Sequence, residues 1–146
     1  MQSAYVAVAV ARLREIHTRI GLALFIGCAA WIFTRQTGAA AWFAAVVLTQ
    51  GLDAWVGRPL RRHPDAAPSL MQKALYTLTL ALIATVYSSI AAYVWFSGGE
   101  AGKLFAFLLP AGSLLNVAMQ LGRAPRPLLL ATSAPHAAYL IGMPIA

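Results

Sequence analysis

Charge is what this sequence has least of. Only 10% of its 146 residues are Asp, Glu, Lys or Arg, where a soluble globular domain carries about 25%. Acidic residues are the scarcest, four against eleven basic ones. The single cysteine, Cys28, excludes an internal disulfide and a cysteine-based metal site. There is no phosphate loop, nucleotide fingerprint, metal-ligand cluster or paired intramembrane carboxylate, so no motif marks a catalytic centre. No basic stretch carries interleaved stacking aromatics, which argues against nucleic acid as a partner despite a net charge of +7. The apolar run 4–11 has no basic residue ahead of it and Arg12, Arg14, Glu15 and Arg19 behind it, the reverse of a secretory signal peptide. Internal repeats and low-complexity linkers are missing too, which leaves one domain.

What the chain has instead is apolar surface, with 60% of its residues hydrophobic. Segments 20–34, 36–52, 74–99, 104–122 and 127–146 contain no Lys, Arg, Asp or Glu. A charge in hydrocarbon costs at least a few kcal/mol, and a helix needs about 20 apolar residues to cross roughly 30 Å of lipid. The spacing therefore predicts an all-α, polytopic membrane helix bundle of about five transmembrane helices. Spans are expected at 16–34, 39–56, 74–96, 104–121 and 127–145, within a membrane domain over 20–146. Gly38 leaves so short a turn that the first two must form a tight helical hairpin. Pro110 and Pro135 each free a carbonyl one turn earlier and should kink the last two spans. Ahead of these, Val6, Val10, Leu13, Ile16 and Ile20 recur at helical spacing, with Arg12, Arg14, Glu15 and Arg19 between them. This predicts an amphipathic interfacial helix over 1–19.

The basic residues fall in alternate loops. Arg12, Arg14 and Arg19, then Arg58, Arg61, Arg62 and Lys73, then Arg123 and Arg126 make nine of the eleven, and only Arg35 and Lys103 occupy the other set. By the positive-inside rule the N-terminus and the nine-residue set face the cytoplasm, so the chain is expected to be a multi-pass protein of a bacterial inner membrane. Five spans then place Ala146 outside, directly after the last apolar run. The sequence is expected to be the front of a longer protein with a sixth span beyond it.

Three spans carry one polar stripe each. Thr49, Gln50 and Asp53 lie on the second, Ser113, Asn116 and Gln120 on the fourth, and Thr132, His136 and Tyr139 on the fifth, at spacings that put each set on one helix face. One reading is a shared small-molecule or proton-sensitive pocket centred on His136. The other is interhelical hydrogen bonding, worth about 0.6 kcal/mol per contact. His136 has no second histidine on a facing span for haem, since His17 and His63 lie at the cytoplasmic surface, and no carboxylate or thiolate company for a metal. No cofactor is expected. Ser113 with His136 could form a serine dyad, but no oxyanion donors accompany them. Asp53 is expected at the interface near Arg58. Arg58, Arg61 and Arg62 are expected to touch anionic lipid headgroups, each worth about 1 kcal/mol. Trp31, Trp42, Trp55 and Trp95 fall toward span ends, as interfacial anchors do. Ala81, Ala84, Thr85, Ser88 and Ala92 give the third span a small-residue packing face.

Two stretches carry a resemblance: 87–112, YSSIAAYVWFSGGEAGKLFAFLLPAG, and 114–140, LLNVAMQLGRAPRPLLLATSAPHAAYL. Together they resemble the N-terminal membrane-sensor regions of alphaproteobacterial sensor histidine kinases, many of them hybrid kinases. The resemblance implies a sensory input or membrane anchor of about six spans whose helix movements reset a cytoplasmic kinase, and the leading expectation is a homodimer that senses a small molecule or a membrane property. A diguanylate cyclase could take the kinase's place as the output. The phospho-accepting histidine box and the ATP-binding motifs of such kinases do not occur here, so no catalytic residue carries over. The competing expectation is a small stand-alone multi-pass protein, a transporter subunit or a structural membrane protein.

Overall fold

The structure, a computed structural model, describes residues 3–121 and 124–145. The expectations that rest on Arg123 and on the chain end at Ala146 lie outside the described residues. Seven helices follow in order: α1 (Ala4–Arg14), α2 (Ile16–Thr34), α3 (Gly38–Val56), α4 (Arg58–Arg62), α5 (Leu70–Ser97), α6 (Gly99–Leu121) and α7 (Arg126–Gly142). No strand occurs among the described residues. The charge-free segments are the helices, and the protein is the all-α bundle its charge pattern predicts.

α2, α3, α5 and α6 are long and apolar enough to cross a membrane. α7, expected as a fifth span, is a 17-residue helix packed on α5 and α6. Large apolar side chains point away from the bundle on several helices, among them Ile32, Leu48, Leu78 and Met119. So much outward apolar surface suits hydrocarbon as the surrounding solvent.

Local chemistry explains the ends. α5 starts at Leu70, ahead of the span expected from 74, because Ser69 and Gln72 form a reciprocal capping box: Gln72 N–H donates to Ser69 Oγ at 3.2 Å, and Ser69 N–H donates to Gln72 Oε1 at 2.8 Å. α5 and α6 are separated by Gly98 alone, and the reversal needs Gly99 at φ +65°, a left-handed conformation that disfavours any side chain. The charged turn expected at 97–103 is thus mostly helix, with Glu100 and Lys103 paired at 2.7 Å in the first turn of α6. Both α6 and α7 remain helical through Pro110 and Pro135.

Helices α2, α3, α5, α6 and α7 alternate in direction, giving a basic end that carries Arg58, Arg61 and Arg62 and a far end that carries Arg35 and Lys103. Each end has its own core. The far-end core gathers Ala23, Ile26, Ala30, Ala39, Val46, Ile90, Ala91, Val94 and Ala106 around Trp42. The basic-end core gathers Val56, Leu60, Tyr76, Leu80, Ile83 and Leu128 together with Tyr5, Val6 and Ala9 of α1.

Two sequence expectations need correcting here. The helix expected over 1–19 is divided at Glu15, and α1 turns Tyr5, Val6 and Ala9 into the bundle while Val10 and Leu13 stay exposed. The buried face differs because α1 packs against α4 and the basic-end core and does not rest on a flat surface. Trp42, expected as an interfacial anchor, is buried, and its indole N–H donates to the Val86 carbonyl oxygen at 2.7 Å. A buried indole N–H needs such an acceptor. Trp31 and Trp55 do face outward.

Candidate functional site: a cavity between α2 and α6

α2 and α6 touch at the far end, where the rings of Phe33 and Phe105 are 5.2 Å apart. Toward the basic end they enclose a cavity of about 490 Å³, completed by α3, α5, α7 and the end of α1. That volume is in the range of small-molecule sites. The far half of its wall is apolar, with Phe25, Ile26, Phe105, Leu108 and Leu109. The basic half is polar, with Arg12, Glu15, Thr18, Arg19, Asn116 and Gln120. Gln50, Ser113, Thr132 and His136 line it as well.

Six of the eight proposed ligand-binding residues therefore share one space: Gln50, Ser113, Asn116, Gln120, Thr132 and His136. Tyr139 is half-buried and lies off the cavity wall, one turn beyond His136. Asp53 is also off the wall, but it holds a residue that is on it. Its Oδ2 accepts from Arg12 Nε at 2.6 Å, and both side chains are buried. The expectation that Asp53 sits at the interface near Arg58 is thus corrected. α1 folds back on the bundle and brings in a guanidinium from 41 positions away in sequence.

The polar stripes do not satisfy one another. Among the described residues no member of one stripe is hydrogen-bonded to a member of another. Thr49 Oγ1 donates to the Val46 carbonyl at 2.8 Å and Thr132 Oγ1 to the Leu128 carbonyl at 2.8 Å, each within its own helix. Gln120 donates to Asn116 at 3.1 Å, again along one helix. His136 finds its partner on α5, where Ser88 Oγ lies 2.5 Å from Nδ1. That contact occupies one ring nitrogen and fixes the ring, leaving Nε2 as the nitrogen free for another partner. It also separates His136 from Ser113, with which it makes no hydrogen bond.

Two arginines at the polar end were legible in sequence only as surface residues. Arg12 spends Nε on Asp53, and its Nη2 is buried without a partner. Arg19 spends Nη2 on Glu15 at 2.8 Å, and its Nε is buried without a partner. Each guanidinium thus gives one edge to a carboxylate and keeps another donor unpaired. The sequence signal was the spacing of Arg12, Glu15 and Arg19, three and then four residues apart, which puts all three on one helical face. Tyr87 also lines the cavity, with its hydroxyl buried and unpaired.

The expected headgroup contacts divide. Arg58 and Arg62 are exposed, whereas Arg61 is half-buried and donates from Nη2 to the Ala54 carbonyl in the last turn of α3. A basic group at a helix C-terminus satisfies carbonyls that lack an intrahelical donor. Among the described residues no cluster of three or more His, Cys, Asp or Glu is arranged to hold a metal ion. No family model matches the chain, and no curated protein or solved structure matches it either.

Proposed function

We propose that the chain is a membrane-embedded input domain that takes a small molecule into the α2–α6 cavity and passes its occupancy to an output on the cytoplasmic side. The observation that carries this reading is the position of Arg12. It lines the cavity and, through Asp53, fixes α1 to α3. A ligand that reaches Arg12 also reaches the helix that leads the chain into the bundle. In a bacterial inner membrane with the basic end inward, α1 and α4 stand at the cytoplasmic face, where an output would read them. Binding favours one of two arrangements of α1 in proportion to its differential affinity for them. A homodimer of such domains would couple two copies.

Gly112 supplies the test. It lines the cavity, and a Cβ added there meets nothing within 4 Å, so Gly112→Trp starts in open space and is expected to occupy the cavity. The experiment uses protein in lipid nanodiscs, with Cys28 replaced by Ser and nitroxide labels on exposed Val10 of α1 and exposed Leu48 of α3. A lipid-soluble extract of the host cells should shift the label-to-label distance in this protein but not in its Gly112→Trp form. Identical shifts in both, or none in either, would sink the proposal.

A further inference from the structure

The cavity is itself amphipathic, and its two halves define the chemistry of a ligand. This step rests on the reading of the cavity as a ligand site. Its polar end holds two buried donors without partners, Arg12 Nη2 and Arg19 Nε. Its wall on α6 runs from Gln120 to Phe105, about 22 Å at 1.5 Å per residue. Most of that length is apolar, and α6 is the least buried of the four long helices. The way in is sideways, between α2 and α6, from the hydrocarbon.

We infer that the cavity takes a single-chain amphiphile with one anionic head, a carboxylate or a phosphate monoester, which enters laterally with its head between Arg12 and Arg19 and its acyl chain along α6. The head has room to bind because the two arginines are held with different firmness. Arg12 is tied to a buried carboxylate, whereas Glu15, the partner of Arg19, is 43% exposed. An exposed ion pair contributes little, so an incoming anion displaces Glu15 at small cost. It then takes the Nε and Nη2 edge of Arg19 with two parallel hydrogen bonds, the geometry in which guanidinium binds such anions best. Glu15 and Asp53 together offset the two arginines, so the empty site is close to neutral; an alcohol head can accept one hydrogen bond there, whereas an anion accepts two and replaces the charge of Glu15. Asn116 and Gln120 flank the head, and Phe25, Phe105 and Leu108 receive the chain.

The test compares palmitate, hexadecyl phosphate and hexadecanol binding to the full chain in phosphatidylcholine nanodiscs, measured by retention of radiolabelled ligand. Palmitate and hexadecyl phosphate should both bind about tenfold or more tighter than hexadecanol. Arg19→Gln should cut that preference severalfold, with palmitate and hexadecyl phosphate losing more affinity than hexadecanol. If Arg12→Gln fails to fold, Arg12→Met with Asp53→Leu removes the same donor without stranding a charge and should also weaken the anionic ligands. Gly112→Trp should abolish binding of all three. Equal affinity for acid and alcohol, with both lost in Gly112→Trp, would overturn the anionic head and leave the cavity reading standing. Binding that Gly112→Trp does not affect would overturn the cavity reading itself. Displacement of palmitate by added phosphatidylglycerol would show that a two-chain bilayer lipid is the occupant and overturn the single-chain ligand.

Discussion

Gly38 and Gly98 at the far end differ plainly from Gly112 on the cavity wall in what an added side chain would meet. At the far end a side-chain carbon on Gly98 would lie 2.7 Å from the Val94 carbonyl oxygen, and one on Gly38 would lie 2.7 Å from the Tyr93 ring. On the cavity wall an addition at Gly112 of α6 meets nothing within 4 Å, whereas Gly57, at the basic end but off that wall, is as tight as the far-end pair, with a Cβ 2.5 Å from Arg61 Nη1. The far end is closed by small residues that let backbones approach, such as Ala30, Ala39, Ala91 and Ala106. The basic end is closed by larger side chains and by α1, and it leaves an opening on the α2–α6 side. A packed interior resists deformation, so a ligand in the cavity is expected to move the helices on the cavity side more than those of the far-end core. α1 is tied in twice, by Tyr5, Val6 and Ala9 in the basic-end core and, beside the cavity, by the Arg12–Asp53 ion pair.

The largest way to break this contrast is to cut that tie. Arg12→Ala or Asp53→Ala alone should destabilise the protein by about 3–5 kcal/mol, since each leaves a buried charge without its partner. Replacing both with apolar residues of similar size, Arg12→Met with Asp53→Leu, should recover most of the loss. Reversible unfolding in mixed detergent micelles measures all three, and single variants within 1 kcal/mol of the parent would mean that α1 is held by packing alone. A smaller effect compares the two kinds of glycine directly. Gly98→Ala must push against backbone and should cost about 1–3 kcal/mol, whereas Gly112→Ala should fall within about 0.5 kcal/mol of the parent. Equal costs would erase the distinction between a closed end and an open one.

The fold was legible where charge marked it. The first hairpin needed only the absence of charge and the glycine at 38, and α3 begins at that residue. The path of α1 was not legible, because its ion pair joins Arg12 to a residue 41 positions on. No local spacing encodes that meeting. The site was legible in part. Periodicity places Gln50, Asn116 and His136 on polar faces of their own helices, and those faces do converge. It says nothing about helix rotation, which is why Asp53 turns to α1 and Tyr139 falls off the wall. Hydropathy also misleads for Trp42, which lies four residues into its helix, where an interfacial anchor would lie, and yet faces inward. Its indole N–H finds the Val86 carbonyl of α5 there, a partner that no local pattern in the sequence announces.

The smallest predicted effects are the most discriminating, because they set a polar contact in the far-end core against one beside the cavity, both on the middle of α5. Trp42→Phe removes the hydrogen bond to the Val86 carbonyl in the far-end core. Ser88→Ala removes the partner of His136 beside the cavity. In a membrane bundle each contact is worth about 0.6 kcal/mol, so the two variants should be nearly indistinguishable by unfolding. They should differ in ligand binding. The Val86 carbonyl also accepts from Ser89 Oγ at 2.8 Å, so Trp42→Phe leaves no group searching for a new partner and should not alter the cavity. Ser88→Ala releases the imidazole to rotate about its bonds and presents either ring nitrogen to the cavity, which should change palmitate affinity severalfold. The two variants are therefore measured on one nanodisc preparation with one labelled ligand. A change in affinity confined to Ser88→Ala supports a basic end tuned for a ligand, and equal changes in both would show that the two ends respond as one packed body.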